Sequence, residues 1–169
     1  MNTTKENTNN ASEAQIPQPK QRLNTHYIKD MSFENPYSPP SSEFLKAKPR
    51  LSVDFDLKAR NLVNSTYELL IQIRAETKAE VELKDKNEER SLFLVELAYG
   101  GVFTIDPAIT EEKQIQQILL VDCATTLFPF ARRVIADTTM HGGFQPLLLE
   151  AINFEALYAT KFANDTAAA

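Results

Sequence analysis

From Tyr67 to Leu83 the chain alternates with a period of two. The odd positions are Tyr67, Leu69, Ile71, Ile73, Ala75, Thr77, Ala79, Val81 and Leu83, and most of the even ones are polar: Glu68, Gln72, Arg74, Glu76, Lys78, Glu80 and Glu82. Alternation this long fits an extended strand with one dry and one wet face, the signature of an antiparallel sheet covered on one side only. Such a strand needs neighbours. Lys84–Arg90 reads as a charged hairpin tip, and Leu92–Tyr99 as the returning strand, with Phe93, Val95, Leu97 and Tyr99 on one side. Gly100-Gly101 predicts a bulge or kink before Val102–Ile105. Val53, Phe55 and Leu57 alternate in the same way. Residues 27–34 read as the first strand, with Met31 and Phe33 on one face and Asp30, Ser32 and Glu34 on the other, ending at Asn35-Pro36.

After Ile105 the period changes. Thr110-Glu111-Glu112 is a polar helix start, and Ile115, Ile118, Leu119 and Cys123 follow at helical spacing. Pro129 suits the first turn of a continuing or restarted helix bearing Phe130, Val134 and Ile135, and Gly142-Gly143 ends it. Asn153 is placed to cap a last helix over Phe154–Phe162. Strands first and helices afterwards predict an α+β fold: a four-stranded antiparallel sheet with helices packed on its odd face. No internal repeat is visible. Residues 1–24 are polar and are expected to form a disordered tail, 25–163 the folded domain, and 164–169 a short flexible C-terminal tail.

Charge narrows the partners. With 18 Lys and Arg against 23 Asp and Glu the net charge is −5, and the acidity falls on the folded part. A protein tracking nucleic acid or an anionic membrane wants a basic face, so neither is expected. The single cysteine, Cys123, fits a reduced compartment and a small core residue on an apolar helical stripe. The N-terminus has no apolar signal region and no run nears the roughly 18 apolar residues of a membrane span. A cytoplasmic protein without direct membrane insertion is expected. His26 and His141 have no metal-ligand spacing, no nucleophile stands beside a base, and the glycine pairs read as turns. The chain is therefore read as not an enzyme, with no cofactor and no metal.

Apolar residues in unusual places suggest binding instead. If odd positions face the helices, Leu92 and Leu94 face outward beside Glu96, on the same side as Asp30 and Glu34. That makes either an ordinary solvated sheet face or a docking patch with an apolar centre and acidic surround. A second set, Tyr37, Phe44, Leu45, Leu147, Leu148, Leu149, Ile152 and Phe154, lies in a Pro-rich connection and at element ends. These residues close the core, meet another subunit, or line an extended apolar groove. Such a groove would take unfolded polypeptide without reading sequence, because apolar burial is non-directional.

Several ordered segments resemble the bacterial protein-export chaperone family SecB. Tyr27-Ile-Lys-Asp-Met-Ser-Phe-Glu-Asn-Pro36 is similar to its first-strand motif, and Leu127-Phe-Pro-Phe-Ala-Arg132 to its Leu-Phe-Pro-Tyr-Ala-Arg. Gly100-Gly-Val-Phe103, Gly143-Phe-Gln-Pro-Leu147 and Asn153-Phe-Glu-Ala-Leu157 match further segments. The resemblance implies a homotetramer, a dimer of dimers, that holds unfolded precursor proteins in hydrophobic grooves and delivers them to the SecA ATPase. It implies SecA contacts at Asp30, Glu34, Leu94 and Glu96, the same even positions. It places client contacts in the Pro-rich crossover, the helical region and the loop before the last helix, where Tyr37, Phe44, Leu45, Leu147, Leu148, Leu149, Ile152 and Phe154 fall. A related chaperone dedicated to one client such as an antitoxin, or a carrier of a small apolar ligand, are the alternatives. The N-terminal tail and the charged hairpin are longer than the family pattern, and the C-terminus is short.

Overall fold

A computed structural model describes residues 19–36, 48–83 and 86–162. Four strands come first: β1 (Gln21–Glu34), β2 (Arg50–Val63), β3 (Thr66–Leu83) and β4 (Lys86–Ile105). They form one antiparallel sheet in the order β1-β4-β3-β2, so β1 and β2 are its edges. β1 begins six residues before Tyr27, so Gln21, Arg22 and Leu23, expected in the disordered tail, pair with β4 instead, and Asn24 is the extra residue at a register shift. The returning strand likewise starts at Lys86, so most of the expected hairpin tip is paired strand.

The alternation in β3 resolves as expected. Leu69, Ile71, Ile73, Ala75 and Ala79 are buried on one face, the first four opposite Gly101, Tyr99, Leu97 and Val95 of β4. Each of Leu69, Ile71 and Ile73 contributes about 1.5–3 kcal/mol when fully buried. Covering that face is a helical rod made of α1 (Glu112–Gln117), a π-helical turn (Ile118–Cys123) and α2 (Ala124–His141). The buried residues run Ile118, Leu119, Cys123, Ala124, Leu127, Phe128, Ala131 and Ile135. The step of five from Ile118 to Cys123 is the π turn, which resets the phase of the apolar stripe toward the sheet. Pro129 stands well inside α2 rather than opening a second helix. Gly143 adopts φ 88°, and Gly143 N–H donates to the Met140 carbonyl, which ends α2 as the glycines predict. The last helix, α3 (Phe154–Phe162), is capped by Asn153, whose Oδ1 accepts from Ala156 N–H at 2.9 Å.

Two expectations about β4 fail for the same reason, the position of its bulges. Gly100 and Gly101 pair in unbroken register with Leu70 and Leu69, so β4 neither bulges nor breaks there against β3. A Cβ on Gly100 would meet the Tyr27 ring at 2.7 Å, and one on Gly101 the Leu127 side chain at 2.8 Å. These glycines admit close neighbours on the two faces. The bulge lies lower: Thr77 faces Phe93 and Lys78 faces Ser91, leaving Leu92 extra. A bulge puts two successive side chains on one side, so Leu92 joins Phe93 in the core instead of facing outward.

Candidate functional site

The outer, helix-free face of the sheet is built from cross-strand rows. Asp30, Ala98, Gln72 and Asp56 form one row; Ser32, Glu96, Arg74 and Asp54 the next; Glu34, Leu94, Glu76 and Ser52 the third. Asp30, Glu34, Leu94 and Glu96 therefore share one surface, as their parity predicts. Arg74 donates to Glu96 at 2.6 Å and to Glu76 at 3.5 Å, and Ser32 Oγ donates to Glu96 at 3.4 Å. The carboxylates of Asp30 and Glu34 are exposed and make no side-chain hydrogen bond or ion pair among the described residues. Asp30, Asp54, Asp56 and Glu96 surround a shallow depression of about 380 Å³ floored by Ala98 and Gln72. Such a rim, acidic with Arg74 inside it and Lys161 reaching Asp56 at 3.6 Å from its edge, suits a basic partner. Asp54 and Asp56 of β2 extend the acids named from sequence. The alternation around Phe55 carried that signal, because Asp54 and Asp56 flank an inward residue.

Above these rows sits a buried ionic cluster that the sequence reading placed among ordinary wet-face charges. Glu68 is only 2% exposed. Lys29 donates to both its oxygens at 3.0 and 3.1 Å, Arg60 to Oε2 at 2.5 Å, and the Tyr27 hydroxyl donates a short hydrogen bond to Oε1. Burial pushes the Glu68 carboxyl up, but the hydrogen bonds from Tyr27, Arg60 and Lys29 outweigh it and bring it down to about 2. The donors come from β1 and β2, so one β3 carboxylate ties both sheet edges together.

The apolar set divides. Leu149 and Phe154 lie in the subunit core, Phe154 within 6 Å of both Phe55 and Phe128. They serve packing in the subunit, contrary to a reading of them as open groove wall. Leu147 and Ile152 are half-buried against that core, and Leu148 is 65% exposed. Burial alternates along this segment, which belongs to no helix or strand: Leu147 partly covered, Leu148 open, Leu149 buried. Tyr37, Phe44 and Leu45 lie outside the described residues. An open groove that sequence reading missed runs along the helix side of β2. A depression of about 940 Å³ between β2 and α1 and a smaller one of about 180 Å³ against α3 share Leu57 and Leu120. Ile115, Leu119 and Leu157 add apolar wall, with Lys58, Glu112 and Lys161 at the rims. Leu120 lies beside the buried stripe of Ile118, Leu119 and Cys123 and is only partly covered. Cys123 is buried and burial, with Asp122 adding, pushes its thiol up to about 12, so it is a packing residue. No group of His, Cys, Asp and Glu among the described residues could hold a metal ion. No described helix is long and apolar enough to cross a membrane.

A one-sided antiparallel sheet with an acidic outer face that carries Leu94 in its third row, and an apolar groove beside its helices, defines a protein-binding module of the α+β class. Comparison carries the assignment further. The model of the family described as preprotein translocase subunit SecB matches residues 14–165. The chain is 37% identical over 142 residues to the protein-export protein SecB of Rhodospirillum centenum, covering 84% of this chain and 79% of that one. It is 39% identical over 155 residues to the protein of the same name from Granulibacter bethesdensis, covering 90% and 88%. A Mycobacterium tuberculosis SecB-like chaperone, solved with a peptide from an antitoxin, shares the fold at a TM-score of 0.60 and 11% identity, over 79% of this chain and 91% of that one. The chain belongs to the SecB family of protein-export chaperones. This assignment does not favour a carrier of small apolar ligands or a chaperone dedicated to one client.

Proposed function

We propose that the protein is a cytoplasmic holdase without catalytic activity of its own. It binds unfolded precursors through apolar surface on the helix side and presents its outer sheet face to SecA. The observation that carries this reading is the convergence of Asp30, Glu34, Leu94 and Glu96 on one face, with the apolar groove on the other side of the sheet. Opposite faces let the chaperone hold a client and meet its receptor at once. Exposed Leu148 and the partly buried groove residues Leu57, Leu120 and Leu157 meet the client. Leu147 and Ile152 support them, and Leu149 and Phe154 hold the wall from behind.

Assembly as a tetramer, a dimer of dimers, belongs to the same proposal. Ile28 and Met31 of β1 and Phe130 of α2 are each at least 40% exposed on the helix side, at an open strand edge. An apolar patch beside an unpaired edge favours pairing with another subunit. Several weak apolar sites around such an assembly give avidity for an extended chain without sequence specificity. The test is light scattering after size exclusion, with a precursor diluted from denaturant and its folded form as control. A tetramer that retains only the unfolded form is expected. A monomer that ignores both forms would overturn the proposal.

A further inference from the structure

β1 changes parity halfway along. Ile28 stands opposite Tyr99 and Asp30 opposite Ala98, which leaves Lys29 as the extra residue of a bulge. Before it the outward residues are Thr25 and Tyr27, paired with Val102 and Gly100; after it they are Asp30, Ser32 and Glu34. A one-residue slip moves every side chain to the other face. Without this bulge, a β1 running on in the register of its first half would point Asp30 and Glu34 at the helices and Met31 and Phe33 at solvent. The bulge is what allows Tyr27 and Asp30 to share the outer face.

Side chains of three strands hold it. The Tyr27 hydroxyl and the Lys29 ammonium both reach Glu68, across the side-chain-free Gly100 of β4. Arg60 anchors the other carboxylate oxygen from β2. On the far side of the bulge Phe33 packs toward Phe93, with ring centroids 6.1 Å apart, and fixes the second register. We propose that Glu68, which lies outside the acidic rows, is a positioning residue for the partner-binding face: by holding Tyr27 and Lys29 outward it fixes the bulge and so sets Asp30 beside Glu96. This rests on the reading of that face as the SecA dock.

The test uses the full chain with Glu68→Gln, alone and combined with Asp30→Asn on β1 or Glu96→Gln on β4. SecA binding is expected to weaken about tenfold in Glu68→Gln, the scale of a group left loosely placed. Retention of an unfolded precursor stays at the wild-type level. Because Glu68 acts through β1, where Glu34 follows the same register, its loss adds less to Asp30→Asn than to Glu96→Gln, with which it multiplies in full. Wild-type SecA affinity in Glu68→Gln, or full multiplication with both partners, would overturn the proposal. Amide hydrogen exchange gives a readout independent of SecA: β1 amides from Lys29 to Phe33 exchange faster in Glu68→Gln, while those of β3 at Ile71–Ala75, which pairs with β4 and β2 and not with β1, keep their protection. Unchanged exchange in β1 refutes the role of Glu68 whatever SecA does. If Asp30→Asn binds SecA like wild type, the docking reading falls and the exchange result still decides the inference.

Discussion

The Tyr27 hydroxyl reaches the Glu68 carboxylate from two strands away, and its ring lies over Gly100 of the strand between. A Cβ at position 100 would meet that ring at 2.7 Å. The bond to Glu68 restrains the ring from sliding aside. Gly100→Ala is therefore expected to destabilise the fold by about 1–3 kcal/mol, the usual cost of overpacking. Combining it with Tyr27→Ala should recover part of that loss. Urea unfolding of the two variants checks this; equal and additive losses would contradict it.

The same contact gives a pH dependence. The Glu68 carboxyl is held at about 2 against 4.5 for the free group, so the native state binds its proton less readily than the unfolded chain does. Its stabilisation is complete above about pH 4.5 and is lost as pH falls toward 2. A shift of this size corresponds to roughly 3 kcal/mol at most. Glu68→Gln should be less stable at pH 7 and lose less between pH 4.5 and 2. Parallel acid-unfolding curves for the two proteins would count against the cluster.

On the outer face, Glu96→Lys sets a second cation against Arg74, and Asp30→Lys reverses an exposed acid of the row above. Either change should weaken SecA binding about tenfold or more and leave precursor binding intact. Titration of labelled SecA and of unfolded precursor onto the same preparations separates the two. Equal loss of both in a correctly assembled protein would remove this face from the account.

Leu148 and Leu149 are neighbours with opposite surroundings. Leu149→Ala should cost about 2–4 kcal/mol of stability, the range for a buried leucine. Leu148→Ser should change stability by less than about 0.5 kcal/mol, as exposed substitutions do, yet weaken retention of unfolded precursors. Thermal unfolding and precursor capture, run on both variants, give the comparison.

Much of this architecture is legible in the sequence, because β3 obeys one period for its whole length and fixes which face is dry. The same rule places Asp30, Glu34, Leu94 and Glu96 together. What it misses are single-residue departures. The bulges at Lys29 and Leu92 cost one residue each and leave the alternation on either side intact, so nothing local announces them. The sequence places Leu92 outside for that reason. Glu68 looks like any wet-face charge, and only a register joining Tyr27, Lys29 and Arg60 around it makes it a buried hub. The groove stays hidden for a related reason: Leu120 lies off the helical stripe, and only the packing of α1 and α3 against β2 brings it beside Leu57 and Leu157. The split of Leu147, Leu148 and Leu149 falls in a segment that belongs to no helix or strand, and apolar composition does not encode it.

The central claim is that client and SecA occupy opposite sides of one sheet. Sedimentation of the wild-type chaperone with a labelled unfolded precursor and SecA, without nucleotide, tests it most directly. The account predicts one boundary containing all three, with SecA lost from it, but not the precursor, in Glu96→Lys. Stoichiometric release of the precursor by SecA binding alone, at equilibrium, would mean that the two partners share a surface and would contradict the account.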